Sequence, residues 1–503
     1  MKRSVCGEPF PRASADGKSG RAPGERGRPV KKRIVLILCA ALLLPCLASL
    51  VSCSDAGVTE KTAGDTGVTY VVTFRIENKE YAVSVPENAT PVLPEAAAAA
   101  LSADKNILRF IGWDKEFAAV TEDTTYTARF GNFAKVLPAK DGAKGIFTMT
   151  YDDGQYDTAK WVWEENKKYG LTGSCMLIAG RTALSDNLDG WAALFADGTL
   201  EPESHSMNHD TLPAKSSGKY EEKKGNNTQA KYKIELVDAR ARLQTFFPEH
   251  DILCFAPASN TLSTESFGVG ANGETDFSRP LNDGGAEAVA RATYYAIRQG
   301  ARGIQSFDPT FGSEAGGWYN LRMQGFSSFA EDAKLSAGKS WLDDAVKGGW
   351  LIVMCHGIGG PNAKGTSPVE ISEADADAFF AYAGKYVESG DLWSATFGEA
   401  TKYLRERQNT TVSERLVRGV VYLDMTINRT AADGKYLDEA VFNYPLTVTV
   451  RVPDGWNTVA YVDNRIRKTA ETSVGADGYV YATVNVTPGK DGKVTSTAIY
   501  PID

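Results

Sequence analysis

Two adjacent carboxylates and four histidines hold most of the chemistry this chain can offer. Asp152 and Asp153 follow the apolar, β-branched run Ile146-Phe147-Thr148-Met149-Thr150-Tyr151 and precede Gly154. Such a run has the pattern of a buried strand. Neighbouring carboxylates repel, and burying either is costly unless a cation or hydrogen bonds compensate. The stretch therefore predicts a strand that delivers one metal ligand and one proton-handling group to a site at its C-terminal end. The histidines are His205, His209, His250 and His356. His205 and His209 stand i, i+4 in Glu203-Ser204-His205-Ser206-Met207-Asn208-His209, which one helical turn would place on one face, aimed at a common atom. His356 closes a second strand-like run, Leu351-Ile352-Val353-Met354-Cys355-His356, whereas His250 sits in a turn-like stretch beside Pro248 and Glu249. Each feature alone has a bland reading as a turn, a loop cap or a satisfied core histidine. Together they predict a mononuclear metal hydrolase with an Asp/His/His ligand set.

Thr148 to Gly154 (T-M-T-Y-D-D-G), His205 to His209 (H-S-M-N-H) and the strand ending at His356 resemble, in order and spacing, the motifs of the polysaccharide deacetylases of carbohydrate esterase family 4, the NodB-homology fold. The resemblance covers about residues 140–408, the size of one (β/α) barrel domain. It implies Asp153, His205 and His209 as ligands of one divalent ion. Two imidazoles and a carboxylate suit Zn²⁺ and leave a position for water, although this donor set separates divalent ions poorly. It further implies Asp152 as general base and His356 as general acid. The implied partner is an acetylated polysaccharide such as peptidoglycan or a chitin-like glycan, losing N-acetyl groups. An O-acetyl esterase and a glycan-binding protein without turnover are the alternatives. One motif departs from the family. Where an arginine, two prolines and an aromatic residue are usual, the chain has Ala256-Pro257-Ala258-Ser259. Pro257 is kept, and with Trp318 is expected at the substrate. Ala256 stands in the arginine's place, with Arg302 and Arg322 as candidates for the missing charge. Trp318 and Tyr319 follow Gly316-Gly317 and have the flat faces that pack on sugar rings, though core packing explains them equally well.

The elements that must position these groups follow from the rest of the chain. At 503 residues, several domains are expected. Lys31-Lys32-Arg33, the apolar run Ile34 to Leu50, and Leu50-Val51-Ser52-Cys53 have the order of a secretion signal ending in a motif that resembles a bacterial lipobox, which would make residues 1–53 a signal and Cys53 the lipidated residue. The long polar stretch before it suggests a translation start near Val30. The expected partner is then a membrane, through the lipid anchor, in the bacterial cell envelope. Residues 1–53 carry ten Lys/Arg and three Asp/Glu, so the remainder of a chain of net charge −8 carries about −15, an acidic surface that argues against nucleic acid. Four of the seven cysteines lie in this leader, and Cys175, Cys254 and Cys355 are expected as buried thiols, one bridge among them being the alternative.

Residues 54–68 have the composition of a tether. Residues 69–134 hold short alternating runs resembling an internalin-B-type repeat, a small β-grasp module. Across 135–409, strand-like runs ending at Asp152, Gly180, Pro257 and His356 alternate with helical ones, which predicts parallel sheet with crossovers and a distorted (β/α) barrel. Residues 410–503 return to alternating runs and predict an antiparallel β-sandwich. The expected fold is thus multidomain: an α/β catalytic barrel between two β modules.

Overall fold

The computed structural model describes residues 67–76, 79–102, 109–131, 133–212, 227–359 and 369–502. The expected signal, Cys53 and all but the end of the tether lie outside them. No helix among the described residues is long and apolar enough to cross a membrane.

The first strands are β1 (Thr69–Ile76), β2 (Lys79–Pro86), β3 (Arg109–Trp113) and β4 (Thr124–Gly131), ordered β2-β1-β4-β3 with β1 and β4 parallel. The helix Glu95–Ser102, containing the alanine run, connects β2 to the second half. Alternation puts Val72, Phe74 and Ile76 on one face, where Phe74 meets Trp113, Phe117 and Tyr126 in a core separate from that of the remaining chain.

After a short β5 (Lys135–Val136), the barrel begins with β6 (Gly145–Tyr151), buried along its whole length. It continues with β7 (Gly173–Leu177), β8 (Leu200–Ser204) and β9 (Cys254–Phe255). A small hairpin, β10 (Phe267–Val269) and β11 (Thr275–Pro280), precedes β12 (Ala296–Arg302), β13 (Leu321–Gly325) and β14 (Gly349–Cys355). The seven strands β6, β7, β8, β9, β12, β13 and β14 run parallel, and β14 pairs back onto β6, closing the barrel. Beyond β14 lie β15 (Gly357–Gly359), β16 (Val369–Ser372) and β17 (Leu392–Ser394); β15 pairs with β16 outside the barrel, and β17 joins the lower edge of β6. Helices cover the outside. The helix Tyr156–Tyr169 stops at Gly170, whose φ of 67° lets its N–H close on the Asn166 carbonyl. Ser372 caps Glu373–Glu388, and Thr396 with Glu399 forms a capping box on Phe397–Asn409.

β8 was not apparent as a strand, because its inward residues are acids. Glu203 Oε2 accepts from the N–H groups of Leu253 (3.0 Å) and Cys254 (2.7 Å), tying it to the two-residue β9. Glu201 accepts from Ser174 Oγ, Thr396 Oγ1 and the Gly398 N–H, each at 2.7 Å. Burial lifts the Glu201 carboxyl to about 7, and Glu203 goes well above the usual range.

The last strands are β18 (Thr410–Val417), β19 (Val420–Ile427), β20 (Leu446–Val452), β21 (Thr458–Asp463), β22 (Ile466–Val474), β23 (Val480–Val486) and β24 (Thr495–Pro501). They form an antiparallel region, but not two separate sheets. The ladder is continuous in the order β18-β19-β24-β21-β22-β23-β20-β5, because β22 pairs with β21 through its first half and with β23 through its second. β5 adds Val136 opposite Val448, so residues just before the barrel complete this sheet. Cys175, Cys254 and Cys355 are free and buried.

Candidate active site

Strand register explains why the distant motifs meet. The β6–β14 ladder ends with Tyr151 opposite Cys355, so the next residues on the two strands, Asp152 and His356, emerge side by side at the barrel's C-terminal end. The β8–β9 pair joins Ser204 to Phe255, which brings out His205 beside Ala256. The β9–β12 pair joins Phe255 to Ile297, and Arg298 is the next residue along β12.

Asp152 and Asp153 lie in a single tight turn after β6, and both are buried. Asp153 has φ 71°, a conformation that aspartate tolerates better than most residues and that turns its side chain away from that of Asp152. The Arg181 Nη1 donates to the Asp153 carbonyl at 2.9 Å and holds this turn. His205 and His209 are not on a helix. They occupy an irregular loop after β8 in which Ser206 (φ 71°) and His209 (φ 60°) are left-handed, so intrahelical bonds cannot form. The loop is pinned instead by side chains. Ser206 Oγ accepts from the His209 N–H at 3.0 Å, and the buried Glu235 accepts from the Asn208 N–H (2.9 Å) and Nδ2 (2.7 Å). Gly180 lets the neighbouring loop approach, since a Cβ there would lie 2.5 Å from the Met207 carbonyl oxygen. The two imidazoles end with ring centroids 4.8 Å apart.

The ligand atoms of Asp153, His205 and His209 lie within 4.8 Å of one another. His205 Nδ1 is 2.7 Å from the Ala256 carbonyl, which can only accept; Nδ1 therefore carries the proton and Nε2 presents a lone pair. That Nε2 is 3.5 Å from Asp153 Oδ1, which is 3.1 Å from His209 Nε2. His205 Nε2 and Asp153 Oδ1 are nonetheless buried atoms without a hydrogen-bond partner. Burial pushes the Asp153 carboxyl up, but the imidazoles against it outweigh this and hold it well below the usual carboxylate range. Converging lone pairs of this kind fit a cation, and two nitrogens with one carboxylate oxygen are the donors a Zn²⁺-like ion takes.

Two further side chains complete the layer, and neither was evident from sequence. Arg298, fully buried on β12, donates from Nη2 to Asp152 Oδ1, and its Nη1 rests 3.8 Å from Met323 Sδ. The charge missing at Ala256 thus comes from the adjacent strand. Arg302 and Arg322 do not supply it: Arg302 donates to Ser328 Oγ (3.3 Å), and Arg322 to the carbonyl of Arg302 (3.0 Å). Glu370, 3 % exposed on β16, accepts from the His356 N–H (3.2 Å) and lies 3.0 Å from His356 Nδ1. Burial disfavours charge on His356, but the Glu370 hydrogen bond, aided by the charges of Asp152 and Asp153, raises the imidazole above its ordinary value. The neighbouring rung of β14 and β6, an arginine inside a strand, and an acid on the next strand were the available signals.

Trp318 is not at the mouth. It is fully buried, gives its Nε1–H to Gln408 Oε1 (2.9 Å) and carries the Arg405 guanidinium 4.3 Å above its ring. Arg405 pairs with Asp433 (2.7 Å), so Trp318 and Tyr319 join the barrel to the C-terminal sheet. Pro257 is buried at the end of β9, its carbonyl accepting from the Asn260 N–H (3.0 Å). His250 takes no part in the cluster and packs edge-on to Phe195.

A closed parallel barrel thus brings three residues that could hold a metal ion and two groups able to transfer a proton to its C-terminal end. No family model matches the sequence, and no curated protein is similar to it. Among solved structures, the carbohydrate esterase family 4 domain of a multidomain xylanase from the hindgut metagenome of Trinervitermes trinervoides is similar at 13% identity and a TM-score of 0.30, over 51% of this chain and 89% of that one. A family 4 carbohydrate esterase from Streptomyces lividans in complex with acetate is similar at 14% identity and 0.30, over 50% and 93%. A polysaccharide deacetylase from Bacillus cereus is similar at 13% and 0.30, over 50% and 92%. At such values the likeness carries no functional weight; the side chains must.

Proposed function

We propose that the chain is a metal-dependent hydrolase that removes acetyl groups, N-acetyl groups foremost, from a polysaccharide. The observation that carries this is the convergence of unpartnered lone pairs from Asp153 and His205, with His209 beside them, next to Asp152 and His356. A divalent ion held by these three would polarise the acetyl carbonyl and lower the pKa of a water. Asp152, oriented by Arg298, accepts the proton of the attacking water. His356, its Nδ1 engaged by Glu370 and its protonated form favoured, has Nε2 left to protonate the departing amine. An ester of a sugar hydroxyl would pass through the same steps with an alcohol leaving. A protein that only bound glycan would have no use for buried Arg298 or Glu370 behind the two proton-transfer groups.

The test is acetate release from N-acetylated and O-acetylated glycans, with metal added or chelated, and Asp152→Asn as control. Release that needs metal and Asp152 supports the reading, and the better substrate decides between amide and ester. No release from any glycan by metal-loaded protein would move the assignment to a binding protein. We further infer from residues 31–53 that the enzyme is exported and lipid-anchored through Cys53, with the N-terminal repeat as a spacer. Failure of Cys53→Ser to change lipid labelling would remove that inference.

A further inference from the structure

We infer that the substrate of this site is an anionic glycan, one that carries carboxylate or sulfate groups near the acetylated sugar, and that Arg181 and Arg302 recognise them. The inference rests on the deacetylase reading and deepens it. Within the site the other charges are already matched: Arg298 pairs with Asp152, His356 with Glu370, and Asp153 belongs to the metal cluster. Two guanidinium groups remain. Arg181 is exposed after β7, and its backbone is fixed because the preceding residues Ala179 and Gly180 donate to the carbonyls of Ser206 (2.9 Å) and Met207 (2.7 Å) in the ligand loop. Its Nη1 reaches the Asp153 carbonyl, so the guanidinium stands against the metal-ligand turn with its other donors uncommitted. Arg302 is exposed at the end of β12 and lies beside the strand that leads to His356. A Cβ on Gly325 would be 3.0 Å from its Nη1 and 3.3 Å from Met354 Cε. Among the described residues its guanidinium donates to the neutral Ser328 hydroxyl, and the charge of Glu370, committed to His356, is felt there without a contact. Neither guanidinium has a carboxylate within ion-pair distance among the described residues, on a chain whose remaining surface is acidic.

An acidic protein that keeps one such cation against the Asp153 turn and another beside the strand leading to His356 repels anions in general and attracts them there. Guanidinium is also the group whose paired donors fit the two oxygens of a carboxylate or sulfate. A neutral chitin-like glycan could accept hydrogen bonds from either residue but would form no ion pair with it.

The experiment is calorimetric binding of three oligosaccharides of one length to the metal-free full chain: neutral, carboxylate-bearing and sulfate-bearing. The acidic ligands are expected to bind about tenfold tighter than the neutral one, a factor worth about 1.4 kcal/mol. The advantage should shrink in 0.5 M salt. Arg181→Gln and Arg302→Gln should each erase much of it, Arg302→Lys should keep more, and melting curves identify any variant that has lost its fold. The ratio of the two acidic affinities distinguishes carboxylate from sulfate. Equal affinity for neutral and acidic ligands, no measurable binding of any, or equal losses for all three in the variants would overturn the inference. Metal-dependent acetate release from a neutral glycan would still stand in that event, so the two readings fail separately.

Discussion

Arg298→Met offers the most direct test of how the site is held. Asp152 is 3 % exposed and Arg298 fully buried, so the substitution leaves a carboxylate in the barrel without its guanidinium partner. Removing one partner of a buried ion pair costs about 3–5 kcal/mol. That is a large fraction of the 5–15 kcal/mol typical of a domain. Replacing both partners by apolar or neutral groups is far cheaper, often neutral, because no unmatched charge remains. Asp152→Asn combined with Arg298→Met should therefore recover most of what Arg298→Met loses. Urea unfolding of wild type, both single variants and the double variant, followed by fluorescence and circular dichroism, gives the coupling energy, expected at about 2 kcal/mol or more. Energies that add to within about 0.5 kcal/mol, as those of independent sites do, would refute the pairing. The acetate-release rate of Arg298→Met should fall with it, since the base is no longer oriented. Because Ala256 and Arg298 directly follow the paired residues Phe255 and Ile297, Ala256→Arg in the Arg298→Ala background should restore part of the rate. No restoration in a folded double variant would mean that the guanidinium must approach from β12.

The remaining predictions concern the acid, the metal and the junction. Glu370→Gln removes the partner that raises His356, so the alkaline limb of the pH–rate profile should move to lower pH. The stability lost in this variant has a definite sign. A histidine raised in the folded state stabilises fully below its unfolded value near 6.5, and the benefit is lost as pH rises through the folded value, so wild type and variant should differ most in acid and converge in alkali. Zn²⁺ at about a hundred times its dissociation constant should stabilise the wild type by about 2.7 kcal/mol and leave Asp153→Ala and His205→Ala unmoved in a thermal-shift assay; equal stabilisation of all three would refute the cluster. Trp318→Ala should cost about 3–5 kcal/mol of stability by leaving a cavity under Arg405. Its KM for glycan should stay unchanged, and a raised KM would return Trp318 to the substrate.

Runs whose chemistry agrees with their burial were legible from sequence. β6 and β14 are apolar or β-branched and buried throughout, and the acids and the histidine follow at their ends. The helix Tyr156–Tyr169 and its stop at Gly170 follow from periodicity and a left-handed cap. β8 hid itself because Leu-Glu-Pro-Glu-Ser has two acids and a proline where a strand pattern wants branched apolar residues. β12 hid itself because Ala-Ile-Arg-Gln-Gly-Ala-Arg buries an arginine that composition assigns to the surface. His205 and His209 do lie together, but not through helical spacing: their proximity comes from two left-handed residues and a buried glutamate.

The two residues that sequence missed are those whose partners are set by the sheet and not by the chain. Arg298 lies 146 positions from Asp152, and only the ordering β9 next to β12, with closure of β14 on β6, gives both a place on the same end of the barrel. Glu370 comes after His356 and returns through β16, which pairs with β15 immediately beyond the histidine. In each case the function needs a charge at a point in space, and any strand reaching that point can supply it. A motif search keyed to Ala256 finds a loss there. The barrel shows the guanidinium on the next strand, β12, where it meets Asp152. A second arginine at position 256 would compete with Arg298 for one carboxylate and leave one buried cation unmatched. With the guanidinium supplied from β12, Asp152 needs no second arginine at position 256, and alanine there leaves the Arg298 pair without a rival.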